Sequence, residues 1–135
     1  MNWKIERVEG AGLDLEEVLD VYRTSGLGER RPIDDTARFR EMLDNANLVL
    51  VARDNDTGKL IGIARSISDF SYVTYLSDIA VDGTYQRSGI GRALIDATQK
   101  ETPGVKIVLL SAPSATEYYP HIGFTQHGSA WVLNP

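Results

Sequence analysis

The sequence predicts an α/β domain built on a mixed, mostly antiparallel sheet with helices on both faces. Three observations carry that prediction. Helical and strand-like periodicities are interleaved along the chain rather than segregated into separate blocks. The stretches Asn47 to Arg53, Leu60 to Ser68 and Tyr72 to Val81 follow one another through short turns, which makes an antiparallel meander. One amphipathic helix then separates the last of these from a further apolar stretch, Val105 to Leu110, so those two strands should run parallel through a right-handed crossover. With 135 residues, positions 1–135 form one domain, long enough to bury a core without covalent staples.

In chain order, Trp3 to Val8 is a short strand and Gly10 to Gly12 a turn. From Asp14 to Thr24, Leu15, Val18, Leu19 and Tyr22 recur at helical spacing, and the helix should end near Gly26 or Gly28. Gly28 to Asp35 reads as a polar loop, and Thr36 to Leu43 as a second helix with Phe39, Met42 and Leu43 inward. Asn55-Asp56-Thr57-Gly58 is a hairpin turn between the first two strands of the meander. A helix from Arg92 to Gln99 places Leu94 and Ala97 on the face shared with Ile90, and stops at Thr102-Pro103-Gly104. Val105 to Leu110 is nearly continuously apolar, as for a strand covered on both faces. Pro113 opens a short helix through Tyr119, and Phe124 to Val132 supplies one or two closing strands.

Composition removes several function classes. There are no cysteines, so a disulfide scaffold, a cysteine nucleophile and a thiolate metal site are excluded. His121 and His127 form no His-Glu-x-x-His pattern, and no metal is expected. A net charge of −5 argues against nucleic acid as a partner. No apolar run is long enough for a membrane span, and Asn2, Trp3, Lys4 and Glu6 do not make a signal peptide, so the expected location is cytoplasmic.

Gln86-Arg87-Ser88-Gly89-Ile90-Gly91, between an apolar strand and a helix, is the chemically informative segment. A turn that runs into a helix N-terminus presents free backbone N–H groups, and these hold phosphate without a lysine. The glycines permit unusual torsions and keep side chains away from a ligand lying on the main chain. It is no P-loop, because Gly58-Lys59 is followed by Leu60 rather than Ser or Thr. A dinucleotide fingerprint fails too, since Leu94 stands where its third glycine belongs. The loop falls where an antiparallel strand meets a parallel neighbour, and a splay between those strands makes a ligand crevice.

Two segments resemble the Gcn5-related N-acetyltransferase (GNAT) superfamily. Ile79 to Ile95 matches its acyl-CoA diphosphate motif, and Tyr118-Tyr119-Pro120-His121-Ile122-Gly123-Phe124 its aromatic-Tyr-x-x-x-Gly-Phe segment. The resemblance implies a GNAT-like fold over the whole chain, with a splay between its two central parallel strands, and acetyl-CoA as cosubstrate. The diphosphate would lie on backbone of Arg87, Ser88, Gly89, Ile90, Gly91 and Arg92, with Gln86 capping the turn. The pantetheine arm would pair with backbone of Ile79 to Val81, Ala80 included, like an added strand.

The implied reaction is direct attack of an amine on the thioester. Tyr119 aligns with the family's general acid, while Tyr118 is expected to pack in the core. A backbone N–H of the Asp78 to Val81 strand would polarise the carbonyl. Many family members with a clear base carry a glutamate a few residues earlier on this strand, where this chain has Val73-Thr74-Tyr75-Leu76. Asp78 is the nearest carboxylate, either a base or a hydrogen-bonding residue that holds the splayed strand. The loop between the first two helices would wall the acceptor, bringing in Tyr22, Arg30, Arg31, Asp34 and Asp35.

The main reading is an acetyl-CoA-dependent N-acetyltransferase acting on a primary amine of a small molecule. A protein or peptide amine is the second acceptor class, and a catalytically silent CoA-binding module is the non-enzyme alternative. The apolar run Ala130-Trp131-Val132-Leu133 points to a homodimer.

Overall fold

The computed structural model describes residues 2–135. Its strands are β1 (Trp3–Val8), β2 (Leu48–Asp54), β3 (Leu60–Ser68), β4 (Val73–Val81) and β5 (Lys106–Val108), and its helices are α1 (Leu15–Ser25), α2 (Thr36–Asn45), α3 (Ile90–Glu101) and α4 (Tyr118–His121). They form one sheet in the order β1-β2-β3-β4-β5. The first three pairings are antiparallel and β4–β5 is parallel, as the single intervening helix requires.

Alternation along β2 builds a core on each side. Val49 and Val51 face α1 and α2, where Val18, Leu19, Tyr22, Phe39 and Leu43 meet Ile63. Leu48 and Leu50 face α3, where Ile90 and Leu94 meet Ile61 and Ala64. Each such buried aliphatic side chain contributes about 2 kcal/mol of transfer free energy. The helix starts are chemically marked: Asp14 accepts from the Glu17 N–H at 3.1 Å and Asp35 from the Arg38 N–H at 3.1 Å.

Three expectations about the C-terminal third need correction. β5 is short and packs on the α3 side alone, through Ile107 and the following Leu109, while Val108 and Leu110 on the other face stay 43% and 48% exposed. The helix opened by Pro113 breaks into a 3-10 turn, Pro113–Ala115, and the single turn α4. No strand follows among the described residues. A strand needs a neighbour to complete its ladder, and the segment after Phe124 has none, so Trp131 and Leu133 remain 91% and 99% exposed.

Candidate active site

The glycine loop is anchored before it turns. Buried Asp82 accepts from the Thr84 N–H at 2.9 Å and the Thr84 hydroxyl at 2.8 Å, while the Tyr85 hydroxyl donates to Asp54 at 2.9 Å. Gln86 donates its side-chain amide to the Val81 carbonyl at 3.2 Å and so closes the turn, and the Ser88 hydroxyl donates to the Tyr85 carbonyl. Arg87 (φ 65°) and Gly89 (φ 87°) then adopt left-handed torsions that swing the chain into α3. For a residue with a Cβ, such as Arg87, that conformation costs about 1–2 kcal/mol. Gly89 is the N-cap and offers no side chain, so the first-turn amides of α3 keep their donors free at the positive end of the helix dipole. Beside them lies a concavity of ≈ 310 Å³, walled by Val81, the loop and Tyr118.

β4 supplies the second element. It pairs with β5 only through Val73, Thr74 and Tyr75, so Leu76 to Val81, including Ile79, Ala80 and Val81, have an open backbone edge on that side. The splay expected between the parallel strands is this divergence. At its opening β4 carries an extra residue: Arg65 stands opposite Asp78 and Ser66 opposite Leu76, leaving Ser77 as a bulge. The bulge shifts the alternation, so Leu76 packs on the α3 side while Asp78 meets Tyr22 of α1 on the other.

Asp78 is 1% exposed and enclosed by donors. Arg31 Nε reaches its carboxylate at 2.5 Å, Arg65 Nε at 2.7 Å, the Tyr22 hydroxyl at 2.6 Å and the Ser77 hydroxyl at 3.2 Å. Burial alone would raise its pKa, but the Arg65 charge and hydrogen bond, with Tyr22 and Arg31, outweigh it and hold the carboxyl below the ordinary range. Tyr22 shifts the other way: burial, then the negative Asp78, push its phenol well above the usual value and keep it a donor. Of the two alternatives for Asp78, the hydrogen-bonding residue is the one these contacts describe directly.

Of the two tyrosines of α4, Tyr118 does not take its expected place in the core. Tyr118 is 42% exposed and faces the concavity, its hydroxyl 4.0 Å from where a Cβ on Gly91 would lie. Tyr119 packs edge-on against Phe124, with ring centroids 5.4 Å apart, and joins the α3-side cluster. Successive residues on a helix point about 100° apart, and here Tyr119 leans on the α3-side cluster while Tyr118 faces the concavity. Burial, then Tyr118, raise the Tyr119 pKa and keep its phenol protonated at neutral pH.

The acceptor-side residues do not converge on one surface. Tyr22 is fully buried and packs edge-on against Phe39, which removes it from direct contact with an acceptor. Asp35 is occupied as the α2 cap, and it, Arg30 and Asp34 are exposed. Arg31 is spent inside the protein. The sequence reading missed Tyr118 as a pocket wall and Arg65 as Asp78's partner. A charged residue inside Leu60-Ile61-Gly62-Ile63-Ala64-Arg65 signals a buried ion pair and could have found the second.

Comparison with known proteins supplies the remaining observations. A family model described as an acetyltransferase (GNAT) domain matches residues 18–134. The chain is 26% identical over 116 residues to the chloroplastic GCN5-related N-acetyltransferase 1 of Arabidopsis thaliana, covering 84% of this chain and 57% of that protein. It spans about half the length of the curated relatives it matches. A GNAT-family acetyltransferase from Streptococcus pneumoniae superposes with a TM-score of 0.73 at 21% identity, over 98% of this chain and 99% of that one. An aminoglycoside acetyltransferase from an uncultured soil metagenomic sample, solved with trehalose, does so with a TM-score of 0.69 at 26% identity, over 99% and 95%.

Proposed function

Since the chain belongs to the GNAT family of acetyltransferases, we propose that it transfers the acetyl group of acetyl-CoA to a primary amine of a small molecule. The observation that carries this reading is the conjunction of free α3 amides, the concavity beside them and the open edge of β4 leading away from it. A diphosphate suits the first, and an extended amide-bearing arm suits the last. The small-molecule acceptor is supported by the metagenomic relative, which acts as an aminoglycoside acetyltransferase.

Acetyl-CoA supplies the activated thioester, and the protein orients it. Loop backbone from Arg87 to Arg92 holds the diphosphate. Backbone of Ile79, Ala80 and Val81 pairs with the arm, and a β4 N–H stabilises the charge that develops on the carbonyl oxygen. Tyr119 donates its proton to the sulfur as the C–S bond breaks, a transfer driven by collapse of the adduct because the thiol formed, with a pKa of about 8.5, is a stronger acid than the phenol that burial raises. The phenolate then regains a proton from water. Asp78 serves the strand and not the proton, so the amine loses its proton to water. The acceptor approaches on the sheet face shared with Asp78. There Ile67, Tyr75 and Val108 lie abreast by register and remain exposed, with Arg30 and Asp34 on the adjoining loop.

The test is a thiol-release screen with acetyl-CoA against small amines, aminoglycosides, amino acids and basic peptides, with calorimetric titration of coenzyme A. Acceptor-dependent release with a small amine is the expected result. Release only with basic peptides would move the acceptor to the protein class. Coenzyme A binding without release to any acceptor would make the chain a silent binding module.

A further inference from the structure

The guanidinium of Arg31 is committed at every nitrogen. Nε meets the Asp78 carboxylate at 2.5 Å, one terminal nitrogen donates to the Ser77 carbonyl at 2.8 Å, and the other donates to the Arg30 carbonyl at 2.8 Å. These bonds use three of its five N–H donors and fix the plane of the group. What the three bonds join is informative: Arg30 lies at the end of the 3-10 turn Leu27–Arg30, Ser77 is the bulge of β4, and Asp78 is the buried carboxylate beside it. Arg65 reinforces the same point from β3, donating to the Ser77 hydroxyl at 2.9 Å and the Met42 carbonyl at 3.3 Å.

We infer that Arg31 is a positioning latch, pinning the loop of residues 27–35 to the bulge of β4 and so setting the distance between the acceptor wall and the strand that delivers the acyl group, without touching either substrate. The inference rests on the reading of that loop as the acceptor wall. The arrangement is built so that the latch is separable from the core. Without Arg31, Asp78 keeps Arg65 at 2.7 Å, Tyr22 at 2.6 Å and Ser77 at 3.2 Å, so its charge stays compensated. The Arg31 side chain is 20% exposed against 8% for Arg65, which places it at the rim of the cluster. Arg31 sets three separate nitrogens of one rigid plane on the Asp78 carboxylate and the Ser77 and Arg30 carbonyls, a spread that the single nitrogen of a lysine does not reproduce.

Arg31→Met and Arg31→Lys in the full chain test this. Arg31→Met should raise the acceptor KM by about tenfold, the scale of a lost charge-assisted hydrogen bond, and leave the acetyl-CoA KM within about twofold. Hydrogen exchange should quicken at amides 27–35 and stay unchanged at 87–92. Arg31→Lys should behave like Arg31→Met. Equal changes in both KM values, wild-type kinetics in Arg31→Lys, unaltered exchange in the loop, or loss of fold in both variants would each overturn the latch. The exchange arm needs no turnover, so an inactive wild-type chain would count against the acetyltransferase reading while the latch is still judged.

Discussion

Tyr118 and Tyr119 are neighbours with opposite surroundings, and single replacements should separate their tasks. Tyr119→Phe keeps the packing on Phe124 and removes the proton, so kcat should fall by about a hundredfold while acetyl-CoA affinity stays within about twofold. Tyr118→Phe should do the reverse, weakening coenzyme A in titration and sparing kcat, because its hydroxyl faces the glycine loop. Asp78 makes a prediction with a definite sign. Its folded-state pKa lies below the unfolded value of about 3.9, so its stabilisation is complete above that pH and is lost as pH falls through the folded value. Urea unfolding followed from pH 7 to pH 3 should show a loss of stability at the acid end that Asp78→Asn lacks. The same variant should be less stable by about 3 kcal/mol at pH 7, since it leaves two arginines without their charge partner. If water takes the amine proton, the rising limb of kcat/KM against pH should follow the pKa of each acceptor tested and persist in Asp78→Asn.

The strand-loop-helix unit from β4 to α3 joins two glycines that do different things. Gly89 sits at φ 87° with nothing within 4 Å of an added Cβ, so Gly89→Ala meets torsional strain alone and should cost about 1 kcal/mol while disturbing the loop. Gly91 has ordinary torsions inside the first turn, and a Cβ there would stand 4.0 Å from Tyr118 and Val81, in the concavity. Gly91→Ala should therefore stabilise the fold by about 0.5 kcal/mol through helix propensity and still weaken coenzyme A binding. Thermal unfolding beside calorimetric titration reads both; a variant that is stabilised and binds normally would remove the loop from the ligand site. Most of this unit was legible in the sequence, because the turn, the glycine torsion and the helix start are local. The bulge at Ser77 was not, since it is defined only by which residue of β3 stands opposite.

Across the whole molecule, α1 and α2 cover one face of the sheet as far as β4 and leave Ile67, Tyr75, Val108 and Leu110 uncovered, while the segment after Phe124 exposes Trp131 and Leu133. The apolar run Ala130 to Leu133 leads us to expect a homodimer, and sedimentation should show a concentration-dependent dimer that Trp131→Ser shifts to monomer. A monomer at every concentration would reject it. The order of elements as far as β5, the parallel crossover and the glycine turn into α3 all follow from patterns a few residues long, and they could be read before any coordinates. The partition of Tyr118 and Tyr119, the burial of Tyr22 and the enclosure of Asp78 could not. Arg31 and Asp78 are 47 positions apart, and Tyr22 and Asp78 are 56. Which face of a strand a carboxylate occupies depends on register, and one extra residue reverses it. Short-range periodicity therefore settles what the elements are, and packing over long separations settles which charges meet, because a carboxylate becomes a tether only when folding removes its water and leaves guanidinium groups in its place.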